Sequence, residues 1–175
     1  GGTGGHVFPA EALAEELIER GYRLALLTDR RGDAFSGILG DLETYRIRAG
    51  GVAGKKAWAV LRAGCELTIG LFQARCLLRK LSPKAVIGFG GYASLPTMLA
   101  ASFDGYATAI HEQNAVLGRA NRLLSSRVKK IATCFDSVRG VPNTIQHKLV
   151  PTGMPVRPAA IKNRDTPYPE ILTDR

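Results

Sequence analysis

The sequence has no Asp-x-Asp, no His-Glu-x-x-His, no Cys-x-x-Cys and no Gly-x-Ser-x-Gly. Their absence removes the spacings that hold a catalytic metal, a structural zinc or an activated serine. No apolar run reaches the ~18 residues from which a membrane span is read. Aromatic residues make up only 7% of the chain and do not interleave with basic ones, which argues against a nucleic-acid surface. Cysteine is scarce and odd in number: Cys65, Cys76 and Cys134 lie in apolar segments. They read as buried thiols of a reducing cytosol rather than a disulfide frame or a metal site.

What is abundant is glycine, twenty residues in 175, gathered in loops. The chain opens on Gly1-Gly2-Thr3-Gly4-Gly5-His6 and runs into a helical pattern from Phe8 to Arg20 that Gly21 stops. Glycines bare the backbone N–H groups, and the helix that follows turns its own unpaired N–H groups and positive dipole end to the same spot. Such a loop suits phosphate or diphosphate, and His6 at its lip can move a proton near neutral pH. The third glycine of G-x-G-x-x-G would fall on Val7, and the lysine of a Walker A loop is missing. A dinucleotide oxidoreductase, for which Asp29 would be the ribose ligand, and an ATPase are therefore disfavoured. A loop of this type follows a strand, so a first strand is expected ahead of residue 1.

Hydrophobic residues at 45% and charged residues at 22% are those of a globular domain with a sizeable core. The net charge is +9, and much of it falls between Lys55 and Lys84. There Lys55, Lys56, Arg62, Arg75, Arg79, Lys80 and Lys84 face Glu66 alone. Such a patch implies an anionic partner.

Strand patterns at 23–28, 44–48, 84–89, 107–111, 129–134 and 148–151 alternate with helical ones, the longest from Ala57 to Leu81. A short helix is also expected near Ala34 to Gly40. This order predicts an α/β fold, a parallel sheet with helices on both faces. Ligands of such sheets bind beyond the carboxyl ends of the strands. There stand the N-terminal loop, Gly90-Gly91-Tyr92, and His111-Glu112-Gln113-Asn114. The second loop repeats the first, although glycine there also suits close strand–helix packing, and Tyr92 can meet a ligand or close the core. In the tetrad, Gln113 and Asn114 suit sugar hydroxyls or a uracil edge, and Glu112 is placed to tune a proton-transfer group; capping of the next helix is the alternative. The long helix carries two apolar stripes, one of Trp58, Cys65, Ile69, Phe72 and Cys76, the other of Val60, Leu67, Leu71, Ala74 and Leu78. A surface helix needs one. The second must be covered by another part of the chain, by a partner or, with the cations beside it, by an anionic leaflet.

Taken in order, Gly1–Pro9, Gly90-Gly91-Tyr92, His111-Glu112-Gln113-Asn114 and Gly153-Met154-Pro155-Val156-Arg157 resemble the N-terminal half of the MurG family of N-acetylglucosaminyltransferases. The resemblance implies a Rossmann-like N-terminal acceptor domain of a GT-B enzyme over 1–157, without its first strand. Residues 158–175 would lead to a donor domain that the sequence does not contain. It implies inverting transfer from UDP-GlcNAc to lipid I in peptidoglycan synthesis, with no cofactor or metal, at the cytoplasmic face of the inner membrane as a peripheral protein. Thr3, Gly4, Gly5, Asn114 and Arg157 would serve the donor. His6 and Glu112 would line the catalytic cleft, and Gly90, Gly91 and Tyr92 would face the acceptor diphosphate. The membrane patch would comprise Lys55, Lys56, Trp58, Arg75, Arg79 and Lys80. Met154 stands where the family usually has Asn. A non-enzymatic nucleotide- or membrane-binding module is the competing reading.

Overall fold

A computed structural model describes residues 4–29, 37–50 and 57–164. All six expected strands form and every pairing is parallel. β1 (Ala25–Thr28) pairs with β2 (Glu43–Arg46), and β3 (Ala85–Gly88), β4 (Ala107–Glu112), β5 (Lys130–Thr133) and β6 (Leu149–Pro151) follow in sequence order. Among the described residues these are two sheets of two and four strands, where the pattern predicts one. The helices are α1 (Gly4–Glu19), α2 (Ile38–Asp41), α3 (Ala57–Leu81), α4 (Leu95–Phe103), α5 (Arg119–Ser125) and α6 (Pro158–Lys162). Of the helix expected near Ala34 to Gly40, residues 34–36 lie outside the described residues, and α2 falls at its end. α6 stands at the head of the segment expected to be a linker, with Pro158 as its first residue, where a missing N–H costs nothing.

The main core packs Leu95 and Met98 of α4, Ile110 of β4, Leu124 of α5 and Ile131 of β5. Ile110, Leu124 and Ile131 are wholly inaccessible, and each such burial stabilises by about 1.5–3 kcal/mol. A second cluster joins Ile47, just past β2, to Ala74 and Leu78 of α3 and Ala100 and Ala101 of α4. α3 and α4 thereby tie the end of the small sheet to the large one. Two glycines make this packing possible. A Cβ on Gly88 would meet Met98 Cγ at 2.8 Å, and one on Gly70 would stand 1.8 Å from the Arg48 carbonyl oxygen.

α1 begins at Gly4, four residues before the expected start. Gly4, Gly5 and His6 are therefore its first turn rather than a loop ahead of it, and their N–H groups are those a helix leaves unpaired. Pro9 is consequently the sixth helical residue, inside the helix rather than in its first turn. Having no N–H, it cannot bond the Gly5 carbonyl one turn back.

Candidate active site

Gly90 and Gln113, from the exits of β3 and β4, meet His6 in the first described turn of α1. His6 Nδ1 lies 3.3 Å from Gln113 Oε1, and Gln113 Nε2 donates to the Phe89 carbonyl at 3.1 Å. Gly90 and Gly91 both hold positive φ (86° and 73°), as the turn out of β3 demands. A Cβ on Gly90 would come within 3.2 Å of His6 Cε1. The imidazole rests on bare backbone there. Thr3, Lys55 and Lys56 fall outside the described residues.

The tetrad after β4 turns inward where its composition points to a ligand. His111, Glu112 and Gln113 are buried, and only Asn114 is exposed. β4 runs one residue further than expected, through Glu112. The Glu112 carboxylate, 1% exposed, is occupied on both oxygens. Oε1 accepts from the Asn114 N–H and from Asn114 Nδ2, both at 3.0 Å. Oε2 accepts from the Gly118 N–H at 2.8 Å and Asn121 Nδ2 at 2.9 Å. A buried negative charge is thus satisfied by four donors at the mouth of α5, where the helix dipole also favours it. The geometry makes Glu112 the clamp of the 112–121 loop, with no oxygen left for a substrate proton.

Asn121 is a member of this network that sequence reasoning misses. Its signal was a polar residue on the buried side of α5, between Ala120 and Leu124; it also donates to the His111 carbonyl at 3.1 Å. His111 itself lies within the domain. Nε2 faces the Gly153 carbonyl at 3.1 Å, and Nδ1 is buried without a partner. A carbonyl only accepts, so His111 carries its proton on Nε2. Tyr92 is half-buried and packs on the main core.

Arg157 stands over the same helix. Its guanidinium carbon lies 4.1 Å from the Phe8 ring centroid, and Nη1 is 3.8 Å from Glu11 Oε2. The two contacts set a half-exposed planar cation beside α1.

On α3 the structure decides between the two stripes. Ala74 and Leu78 are buried and Leu67 and Leu71 half-buried, while Trp58 is 75% exposed, Phe72 70% and Leu61 60%. Cys65 and Cys76 lie on that outward stripe and are exposed, against the expectation of buried thiols; Cys134 is half-buried. An open apolar groove of about 530 Å³ runs beside it, lined by Ile69, Phe72, Cys76 and Leu77 with Arg46 at its edge. Two cations of the expected patch are already engaged. Arg75 pairs with Asp104 at 2.5 Å and Arg79 approaches it at 3.7 Å, bracing α3 against the end of α4. Lys80 and Arg62 remain exposed, Arg62 beside Glu66 at 3.3 Å. Among the described residues no helix is long and apolar enough to cross a membrane, and no group of three or more His, Cys, Asp or Glu could hold a metal ion.

The glycosyltransferase family 28 N-terminal domain matches residues 1–133. A UDP-N-acetylglucosamine–N-acetylmuramyl-(pentapeptide) pyrophosphoryl-undecaprenol N-acetylglucosamine transferase of Paramagnetospirillum magneticum is 60% identical over 99% of this chain and 47% of its own length. The Rhodospirillum rubrum enzyme of the same name is 54% identical over 96% and 43%. The crystal structure of Acinetobacter baumannii MurG superposes with a TM-score of 0.69 at 32% identity, over 96% of this chain and 48% of that one. The chain spans about half the length of the relatives it matches.

Proposed function

Since the chain belongs to glycosyltransferase family 28, we propose that it forms the acceptor-side half of an enzyme that moves N-acetylglucosamine from UDP-GlcNAc to lipid I, yielding lipid II with inversion. The observation that carries this reading is the convergence of His6, Gly90 and Gln113 at the start of α1. Unpaired N–H groups at a helix start favour an anion, and a diphosphate occurs in both donor and acceptor. A histidine stands beside that seat.

His6 is the general base of this proposal. As the sugar hydroxyl attacks, its proton passes to the imidazole and its oxygen bonds the anomeric carbon. The bond from that carbon to the UDP oxygen breaks, and its electron pair leaves with UDP. General base catalysis contributes typically 10²–10⁴-fold. Glu112, fully bonded, serves as a positioning residue for the loop that carries Asn114. Thr3, Gly4, Gly5, Asn114 and Arg157 are assigned to the donor, and Gly90, Gly91 and Tyr92 to the acceptor diphosphate.

The outward stripe of α3 belongs to the same proposal. A lipid-linked acceptor confines the reaction to a bilayer surface. Trp58, Leu61 and Phe72 supply a face for shallow insertion, with Lys80 and Arg62 beside it and Lys55 and Lys56 close in sequence. The domain would dock on the cytoplasmic leaflet of the inner membrane.

Replacing His6 by Ala in the complete two-domain enzyme tests the base. Turnover should fall about 10²-fold or more, while KM for UDP-GlcNAc changes little. Turnover within threefold of the parent would remove His6 from the role.

A further inference from the structure

We infer that Gln113 fixes the tautomer of His6, holding the proton on Nδ1 and leaving Nε2 as the nitrogen that receives the substrate proton. The catalytic half of this rests on the reading of His6 as the base; the tautomer itself does not.

The Phe89 carbonyl oxygen only accepts, so the Gln113 atom 3.1 Å away must be the amide nitrogen. Turned end for end, the amide would set two acceptors against each other, so the network decides its orientation. Gln113 is 7% exposed, with little room to choose another partner. The atom 3.3 Å from His6 Nδ1 is then the amide oxygen, another pure acceptor. A hydrogen bond across that gap requires a hydrogen on Nδ1. In a neutral imidazole the remaining nitrogen, Nε2, bears the lone pair.

The surroundings hold this arrangement in register. Gly90 backs the Cε1–Nδ1 edge of the ring, where a Cβ would be 3.2 Å from Cε1 and 3.4 Å from Nδ1. Gln113 follows Glu112, whose carboxylate is clamped by four donors and whose carbonyl accepts from the Cys134 N–H at 3.0 Å. Among the described residues Nε2 of His6 has no hydrogen-bond partner, so it is the nitrogen left for a substrate hydroxyl. When Nε2 takes up the proton, Nδ1–H keeps its acceptor and the ring keeps its orientation. Acting through His6 makes Gln113 a positioning residue.

The test is ring-¹⁵N NMR of the histidines in the full chain, at a pH where the imidazoles are neutral. His111, with Nε2 donating to the Gly153 carbonyl, is the internal reference for the opposite tautomer. His6 should show a protonated Nδ1 and a bare Nε2. In Gln113→Met, a side chain of similar length without the amide, His6 should move to the Nε2–H form that dominates free histidine. An Nε2–H form of His6 in the parent protein would overturn the inference whether or not the variant folds. So would a tautomer that Gln113→Met leaves unchanged. In the two-domain enzyme, Gln113→Met should lower kcat about tenfold with KM for UDP-GlcNAc within about twofold. Undiminished kcat together with a displaced tautomer would refute the catalytic half. The His6→Ala result judges the base separately.

Discussion

Gly70 lies so close to Arg48 that a Cβ on the glycine would stand 1.8 Å from the arginine's carbonyl oxygen. The approach seats the 47–50 segment on α3, where the Arg48 N–H also donates to Gln73 Oε1 at 2.8 Å. Gly70→Ala should therefore destabilise the domain by about 3 kcal/mol through overpacking. Gly64, on the same helix, has nothing within 4 Å of its would-be Cβ. Gly64→Ala should stabilise by about 0.5–1 kcal/mol from backbone entropy alone. Urea denaturation of both reads the difference, and equal effects would contradict the packing.

Glu112→Gln should act on stability before chemistry. The amide loses the charge and turns one acceptor into a donor among four donors, at a cost of about 2 kcal/mol. Amide exchange across 114–118 should quicken with it. A variant of unchanged stability whose turnover collapses would return Glu112 to the proton transfer.

Arg157 is set over Phe8 by stacking, which a planar guanidinium does well and an ammonium does poorly. In the two-domain enzyme, Arg157→Ala should weaken UDP-GlcNAc binding by about one to two decades, the worth of a charge-assisted contact of roughly 1.5–3 kcal/mol. Arg157→Lys should recover little of it. Calorimetry showing parental affinity in either variant would detach Arg157 from the donor.

Membrane docking is best probed away from Arg75 and Arg79, because reversing them also breaks the brace to Asp104. Sedimentation with phosphatidylglycerol vesicles should show binding that falls in high salt. Lys80→Glu should weaken it through the long-range attraction, about 1 kcal/mol per cation near the surface. Phe72→Ser should weaken it through insertion. Binding that neither change alters would make the stripe a solvated face.

Most strands were legible as short apolar runs between polar breaks and the 44–48 segment as an alternating one, and 84–89 and 107–111 came within a residue of β3 and β4. Helix starts were less so. Two glycines read as loop, yet Gly4 and Gly5 are helical, because the turn they enter carries His6 against Gly90 and Gln113. The tetrad was legible as a place and not as a set of roles. Four consecutive polar residues look ligand-facing in one dimension, whereas burial of His111, Glu112 and Gln113 depends on Asn121 and Phe89, which come from other elements. On α3 the two stripes were visible, but which one the fold covers depends on Ile47, Ala100 and Ala101, distant in sequence.

Domain exchange tests most directly whether this chain serves as the proposed acceptor-side half of a UDP-GlcNAc-dependent glycosyltransferase. The direct measurement replaces the corresponding half of the Paramagnetospirillum magneticum enzyme, 60% identical to this chain, with residues 1–175. Transfer of radiolabelled N-acetylglucosamine from UDP-GlcNAc to lipid I is then followed. The chimera should form lipid II, and His6→Ala within it should abolish most of the turnover. A chimera that folds and binds UDP-GlcNAc, yet transfers nothing while the parent enzyme does, would contradict the proposed role.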